Sequence, residues 1–234
     1  GVCEIRISSA CDNPMIMNEI FISQFFSEKG DLSHSIDEYR VRQEQIDISI
    51  LIDEAITHKK KLIVEAGTGI GKTFAYLVPA FLSGGKIIIS TATKNLQDQL
   101  FTKDIPMIRD ALKVPVSLAM LKGRSNYLCH LRLENAMIEG AFMTKEDVTY
   151  LHLVDQHAKH SEDGDRAELD TIPEGSSIWP QVTSTKENCL GQDCSFYKEC
   201  FVMNARKKAL AADVAIVNHH LFFADLNMKE EGVS

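Results

Sequence analysis

The sequence predicts an α/β fold built around a parallel sheet. Short apolar runs of strand length alternate with segments of helical periodicity, and a glycine-rich loop joins one such run to the helix after it. Continuous apolar strands are typical of a parallel sheet that is covered on both faces. The chain has 234 residues, 44% of them hydrophobic and 25% charged, which is enough to bury a core.

Bulk composition excludes several classes of protein. No run of eighteen apolar residues occurs, so we predict no membrane span. Six cysteines are too few for a disulfide scaffold in a chain of this length. The formal net charge of −8 gives, by itself, no sign of a nucleic-acid partner.

The first elements follow from periodicity. Residues 1–14 show no clear period and end at an Asn-Pro pair, so we interpret them as leader or upstream sequence that is poorly ordered. Periodic sequence begins near Met15. Apolar residues at helical spacing predict a helix over Ile46–Thr57, and Leu62–Val64 is an apolar run of strand type.

The alternation then continues. A helix is predicted over Thr73–Leu82, although Pro79 should kink or break it. Lys86–Ser90 predicts a second buried strand, Thr93–Phe101 a helix, and Val114–Met120 a third strand.

This rhythm stops after residue 121. Residues 155–170 are polar and acidic, which favours a solvated loop or an exposed helix end. Strand character returns at Asp213–Val217, and we interpret the adjacent His219 and His220 beyond it as structural. The predicted organisation is a first domain part at 15–120, an insertion at 121–206 and a return to the first domain at 207–234.

The glycine-rich loop matches the phosphate-binding pattern from its second glycine onward, with Ala66 in place of the first. Small residues let backbone N–H groups wrap phosphates, Lys72 reaches the β and γ oxygens, and the Thr73 hydroxyl binds Mg²⁺. The loop therefore predicts ATP and Mg²⁺ as ligands, with Lys72 and Thr73 as the catalytic residues. The predicted nucleotide-binding residues of the loop are Ala66, Gly67, Thr68, Gly69, Ile70, Gly71, Lys72 and Thr73. With such a loop we expect a cytoplasmic protein without disulfides.

The cysteines are unevenly placed. Cys189, Cys194 and Cys200 form a C-x4-C-x5-C pattern, and Cys129 stands alone upstream. Four thiolates could ligate an iron–sulfur cluster or a structural Zn²⁺, or they could be free thiols. The pair of C-x2-C knuckles that is common in zinc sites is absent. Spacing alone leaves the three alternatives open; Cys3 and Cys11 fall in the leader.

Five segments occur in one order: VEAGTGIGKT, STATKNLQDQL, LKGRSNYLC, the three-cysteine pattern and VNHHLFFADL. Together they resemble the XPD/DinG-type superfamily 2 DNA helicases that carry an iron–sulfur cluster, most closely their bacterial YoaA branch. The resemblance runs from about residue 20 to the end. It implies a RecA-like P-loop domain interrupted by a mostly helical iron–sulfur insertion.

The resemblance also implies roles for individual residues. Tyr39, Arg42 and Gln45 match the segment that reads adenine, although a solvated polar helix start is the alternative for Gln45. The metal ligands of a [4Fe–4S] cluster would be Cys129, Cys189, Cys194 and Cys200. The implied nucleic-acid contacts are Thr91, Thr93, Gln97, Arg124 and Tyr127; packing against the cluster is the alternative for Arg124 and Tyr127.

The function implied by the resemblance is ATP-dependent 5′-3′ DNA unwinding in repair or replication. Single-stranded DNA and forked duplex DNA would be the partners, with no membrane involved. The family's Asp-Glu-Ala-His motif should follow VNHHL closely, and neither it nor a second motor domain occurs in the sequence. We therefore expect an N-terminal fragment that binds nucleotide weakly without hydrolysing it. The alternative is a metal-stabilised DNA-binding module without motor activity.

Overall fold

The chain divides into two compact units. The computed structural model describes residues 4–8, 15–36, 38–140 and 144–222. One unit comprises Gly1–Met120 with Ala212–Ser234, and the other comprises Leu121–Ala211. Each unit has its own cluster of buried apolar side chains. In the described ranges, no helix combines the length and the apolar character needed to cross a membrane.

The first unit contains a small sheet. Among the described residues its strands lie in the order β1 (Glu4–Ser8), β2 (Lys86–Thr91), β4 (Val214–Asn218) and β3 (Leu118–Leu121). β2 and β4 are parallel, with Ile87 opposite Val214 and Thr91 opposite Asn218. The predicted α/β fold with a parallel sheet is thereby confirmed.

The leader differs from the prediction. Residues 1–14 were expected to be poorly ordered, whereas Glu4–Ser8 forms β1, which pairs antiparallel with β2. Ile5 and Ile7 alternate there with polar residues, which is the period of a strand. Cys3 and Cys11 lie outside the described residues.

The strand predicted at Leu62–Val64 is absent. These residues have no regular structure, and the side chain of Ile63 is 97% exposed. A continuous apolar run is typical of a strand that pairs with neighbouring strands and is covered on both faces. None of the four strands described above pairs with this run, so the prediction of a strand here was wrong.

Five helices surround the sheet in the described part of this unit. Residues 100–104 form a π-helical turn ahead of Pro106, which has no N–H to donate. The five helices are α1 (Met15–Phe25), α2 (Gln43–Thr57), α3 (Lys72–Leu82), α4 (Lys94–Gln99) and α5 (Ile105–Leu112). The π-helical turn links α4 to α5, whereas the sequence predicted a single helix that ends at Phe101.

Pro79 does not break α3. A proline at this position leaves the carbonyl of Ala75 without its helical N–H donor. The hydroxyl of Ser49, on α2, lies 2.9 Å from that carbonyl oxygen and 2.9 Å from the carbonyl oxygen of Gln45, and its one proton is shared between them. Both Ser49 and Ala75 are fully buried, so this side chain replaces the missing main-chain bond and the helix continues to Leu82.

Replacing Ser49 by alanine should therefore destabilise the first unit. A buried carbonyl left without a donor costs about 1–3 kcal/mol, and we expect a loss of that size in the free energy of unfolding. Urea denaturation measures it. Ser27→Ala is the matched control, because it removes an exposed hydroxyl bond to Gln24 that water can replace. Equal stability of the two variants would contradict the assignment.

The second unit is mainly helical in its described part. Its larger helices are α6 (His130–Glu139), α7 (Lys145–His160) and α9 (Phe201–Ala211), with a single turn, α8 (Trp179–Val182), between the last two. Its core contains Leu128, Leu151, Val154, Ile178, Trp179 and Val182.

The acidic segment at 155–170 is more ordered than the sequence suggested. The Lys122 ammonium lies 2.6 Å from the Asp165 carboxylate, and these side chains are only 9% and 17% exposed. Asp163 also pairs with Lys208 on α9. The interpretation of this segment as a solvated loop was therefore wrong for Asp165, whose charge is paired inside the unit.

Candidate functional site

The phosphate loop ends at the start of α3. Gly69 and Gly71 have φ values of 84° and 80°, in the left-handed region that glycine adopts most easily. Gly71 is the N-cap of α3, and no side chain caps the helix. No side-chain oxygen therefore competes with an anion for the first N–H groups of α3 and the positive end of its dipole.

Lys72 is folded over the loop. Its ammonium donates to the carbonyl oxygens of Ala66, at 2.9 Å, and Gly67, at 2.6 Å. Phosphate oxygens carry more negative charge than these carbonyls and bond an ammonium more strongly. Thr73 lies in the first turn of α3, half-buried beside Lys72. The loop, the ammonium and the hydroxyl together suit a nucleoside triphosphate with Mg²⁺.

Gln45 joins α2 to this loop. The side chain is 1% exposed, and its amide nitrogen donates to the carbonyl oxygen of Gly71 at 2.9 Å. A Cβ on Gly71 would clash with this amide. The amide oxygen of Gln45 is buried, and no described residue donates to it. A buried acceptor without a donor is costly, so this oxygen marks a place where a ligand N–H would fit.

Tyr39 and Arg42, the other two residues predicted to contact adenine, differ in their surroundings. The Tyr39 hydroxyl donates to the carbonyl of Phe26 at 2.9 Å, and burial raises the pKa of Tyr39 above its usual value. Arg42 is exposed, and its guanidinium lies 3.8 Å from the point that a Cβ on Gly71 would occupy. Arg42 and Gln45 are thus brought to the end of the phosphate loop.

Three predicted nucleic-acid contacts follow β2. Thr91 is 1% exposed, and its hydroxyl donates to the carbonyl of Thr93 at 3.3 Å. Thr93 is exposed and caps α4, accepting from the backbone N–H of Leu96 at 3.3 Å. Gln97 is also 1% exposed, and its amide nitrogen has no partner among the described residues. Of the three, Thr93 alone presents its side chain to solvent.

The other two predicted contacts lie inside the second unit. Tyr127 is 3% exposed, and its hydroxyl accepts from the backbone N–H of Lys122 at 2.9 Å. Burial raises the pKa of Tyr127 to about 12. Its ring is therefore covered, contrary to the base stacking expected of it. Arg124 donates to the sulfur of Cys189 at 2.9 Å, which agrees with the alternative of packing beside the cysteines.

The four cysteines of the second unit line one pocket. Its empty volume is about 610 Å³, part of it open solvent, and Arg124 also lines it. The backbone N–H of Gly191 approaches the sulfur of Cys189 at 3.4 Å. Arg124 and Gly191 thus both donate hydrogen bonds to the sulfur of Cys189.

Cys129 is the N-cap of α6. Burial raises the pKa of its thiol, the proximity of Cys194 and Cys200 adds to the increase, and the N–H groups of Arg132 and Leu131 oppose it. The Cys129 thiol therefore lies close enough to Cys194 and Cys200 for their proximity to raise its pKa.

In the described part of the chain, no three His, Cys, Asp or Glu side chains form a group that could hold one metal ion.

One contact near the sheet edge was not anticipated. Ser90, in β2, lies 2.7 Å from the Nδ1 atom of His219, which directly follows β4. The sequence gives no local signal for this pair, because the two residues are 129 positions apart. Their proximity depends on the parallel pairing of the two strands.

Comparison with known proteins gives a consistent result. The family model described as DEAD/DEAH box helicase matches residues 48–166, about half of the chain. These residues include the phosphate loop and the segment after β2.

Several curated relatives are similar over most of the chain. The ATP-dependent DNA helicase YoaA of Haemophilus influenzae is 49% identical over 90% of this chain and 33% of its own length. YoaA of Escherichia coli is 46% identical over 88% of this chain and 32% of its own length. The 3′-5′ exonuclease DinG of Bacillus subtilis is 32% identical over 83% of this chain and 21% of its own length. The chain thus spans about a third of the length of its YoaA relatives.

Proposed function

Because the chain belongs to the DEAD/DEAH box helicase family, we propose that it forms part of the first motor domain of an ATP-dependent DNA helicase. The observation that carries this proposal is the convergence of three groups on one loop. The Lys72 ammonium, the uncapped start of α3 and the buried Gln45 amide all lie at Gly67–Gly71. Similarity to two helicases named YoaA supports it.

In this proposal the loop holds the triphosphate of ATP. The Lys72 ammonium exchanges the carbonyls of Ala66 and Gly67 for β and γ oxygens, and the first N–H groups of α3 bind the same anion. The Thr73 hydroxyl would hold Mg²⁺, which neutralises charge on the β and γ phosphates. Hydrolysis in the intact protein would drive movement along single-stranded DNA.

Gln45 reads the base in this proposal. Its free amide oxygen would accept from the exocyclic amine of adenine, and its second N–H would donate to a ring nitrogen of the base. Replacing Gln45 by alanine in the intact protein should raise the KM for ATP about tenfold, because a bidentate contact of this kind is worth about 1–3 kcal/mol.

Steady-state ATPase and GTPase assays check this prediction. Guanine presents a carbonyl where adenine has its amine, so GTP turnover should change much less than ATP turnover. If Gln45 acted only by supporting Gly71, the turnover of ATP and of GTP would fall equally. Recognition of the base by Gln45 would then be rejected. Gln43→Ala is the matched control, because the exposed Gln43 side chain bonds only within α2, to Asp47.

DNA would meet the first unit at the carboxyl end of β2. Thr93 is exposed there, and its hydroxyl can contact backbone phosphate. Thr91 and Gln97 would act by shaping this segment, since both are buried. We extend the proposal to 5′-3′ movement, to forked DNA in repair or replication and to a cytoplasmic location. Unwinding of forks with only a 5′ or only a 3′ single-stranded arm tests the direction: faster unwinding with the 3′ arm would overturn it.

Residues 121–206 would form the iron–sulfur insertion. Cys129, Cys189, Cys194 and Cys200 would hold a [4Fe–4S] cluster, and the Arg124 guanidinium would stabilise the thiolate of Cys189. The cluster would supply a rigid cross-link between segments that are far apart in sequence.

A further inference from the structure

Two side chains share a hydrogen bond at the carboxyl edge of the β2–β4 pair, and the proposed chemistry does not use it. The Ser90 hydroxyl lies 2.7 Å from Nδ1 of His219. Ser90 is fully buried, and His219 is half-buried directly after β4. Thr91 stands opposite Asn218 in the register, so the bond ties the two strands together at the end of their pairing.

The backbone on each side of this bond is held in place. On the β2 side, the Thr91 hydroxyl donates to the Thr93 carbonyl, and Thr93 caps α4. On the β4 side, the Asn218 side-chain oxygen accepts from the N–H of Leu221. Each strand therefore leads into a fixed turn, and the Ser90–His219 bond connects the two turns.

We propose that His219 is a positioning residue for the segment Thr91–Thr93. By bonding to Ser90, His219 fixes the end of β2. This in turn fixes the position of the Thr93 side chain. The imidazole acts on this segment from the neighbouring strand and does not itself touch the ligand. The consequence for DNA affinity rests on the proposed function, in which Thr93 lies at the DNA surface.

Three single variants of the intact protein and one double variant test this role, and His220→Ala is the matched control. His220 is exposed, next to His219 in the chain. His219→Ala and Ser90→Ala each remove the bond. His219→Asn retains it, because the asparagine amide can take the place of Nδ1, its oxygen accepting from the Ser90 hydroxyl or its nitrogen donating to it. Binding is measured by fluorescence anisotropy with a labelled single-stranded oligonucleotide, and backbone order by hydrogen exchange of residues 91–99 without DNA.

We expect His219→Ala and Ser90→Ala each to weaken DNA binding about fivefold, the effect of losing one hydrogen bond. The double variant should be no weaker than either single one, since the same bond is lost in all three. His219→Asn should bind within about twofold of the unmodified protein, and His220→Ala should bind normally. The backbone amides of residues 91–99 should exchange faster in His219→Ala and Ser90→Ala, and at the unmodified rate in His219→Asn and His220→Ala.

The two measurements separate this inference from the proposed function. If the unmodified protein fails to bind single-stranded DNA, the proposed function is overturned, while faster exchange in the alanine variants still supports positioning. Unchanged exchange in both alanine variants overturns the positioning role, whatever the DNA affinity. If His219→Asn behaves like His219→Ala, the positioning role is also overturned. Asparagine keeps a hydrogen-bonding group for Ser90 and should therefore restore the bond.

Discussion

Replacing Lys72 by alanine in the intact protein should lower DNA-stimulated ATP hydrolysis by about 10²–10³-fold, as expected when one preorganised donor to the transition state is removed. The ammonium now bonds to the Ala66 and Gly67 carbonyls at the edge of the loop. No other lysine or arginine lies in the loop Ala66–Thr73, so no neighbour within it can replace the lost charge. DNA unwinding, which needs this hydrolysis, should fall with it.

The fold should survive this substitution. The carbonyls that Lys72 leaves belong to exposed or half-exposed residues, so water can replace the ammonium. Lys60→Ala is the matched control, because Lys60 is an exposed lysine just ahead of the loop. Coupled ATPase assays and fork unwinding give the measurement. Unwinding at the unmodified rate by Lys72→Ala would reject the motor and favour a metal-stabilised DNA-binding module.

The sequence predicted the two strands that pair in parallel but not β1, which pairs antiparallel with β2. The runs at Lys86–Ser90 and Asp213–Val217 are continuous and apolar, and they pair with each other in parallel as β2 and β4. The run at Leu62–Val64 has the same composition, yet it is exposed and irregular. Composition shows that a segment can be a buried strand, whereas pairing decides whether it is one.

The candidate site was predictable to a similar extent. The phosphate loop could be read from local spacing, because its function depends on the backbone and on one helix start. Side-chain exposure could not be read in this way, since Gln97 and Tyr127 carry polar atoms yet are almost fully buried. Pro79 failed as a helix breaker because its missing donor is supplied by Ser49, from another helix. Such effects arise from tertiary contacts that no local pattern contains.

Replacing Cys129 by serine should remove most of the iron from the anaerobically purified intact protein. Cys129 lines the pocket with Cys189, Cys194 and Cys200, and a four-thiolate cluster loses stability when one ligand is lost. Serine is also a preferred N-cap, so its hydroxyl can still accept from the first N–H groups of α6. Loss of iron would then report ligation by the sulfur and not loss of the helix cap.

Iron and sulfide analysis, with absorbance at about 400 nm, measures the cluster. Cys3→Ser and Cys11→Ser are the matched controls, because both cysteines fall in the leader and should leave the iron content unchanged. The unmodified protein distinguishes the three original alternatives. A colourless protein with stoichiometric zinc would overturn the cluster, and a metal-free protein would leave four thiols. Full iron in both Cys129→Ser and Cys129→Ala would exclude Cys129 as a ligand, because alanine has no atom that can bind iron.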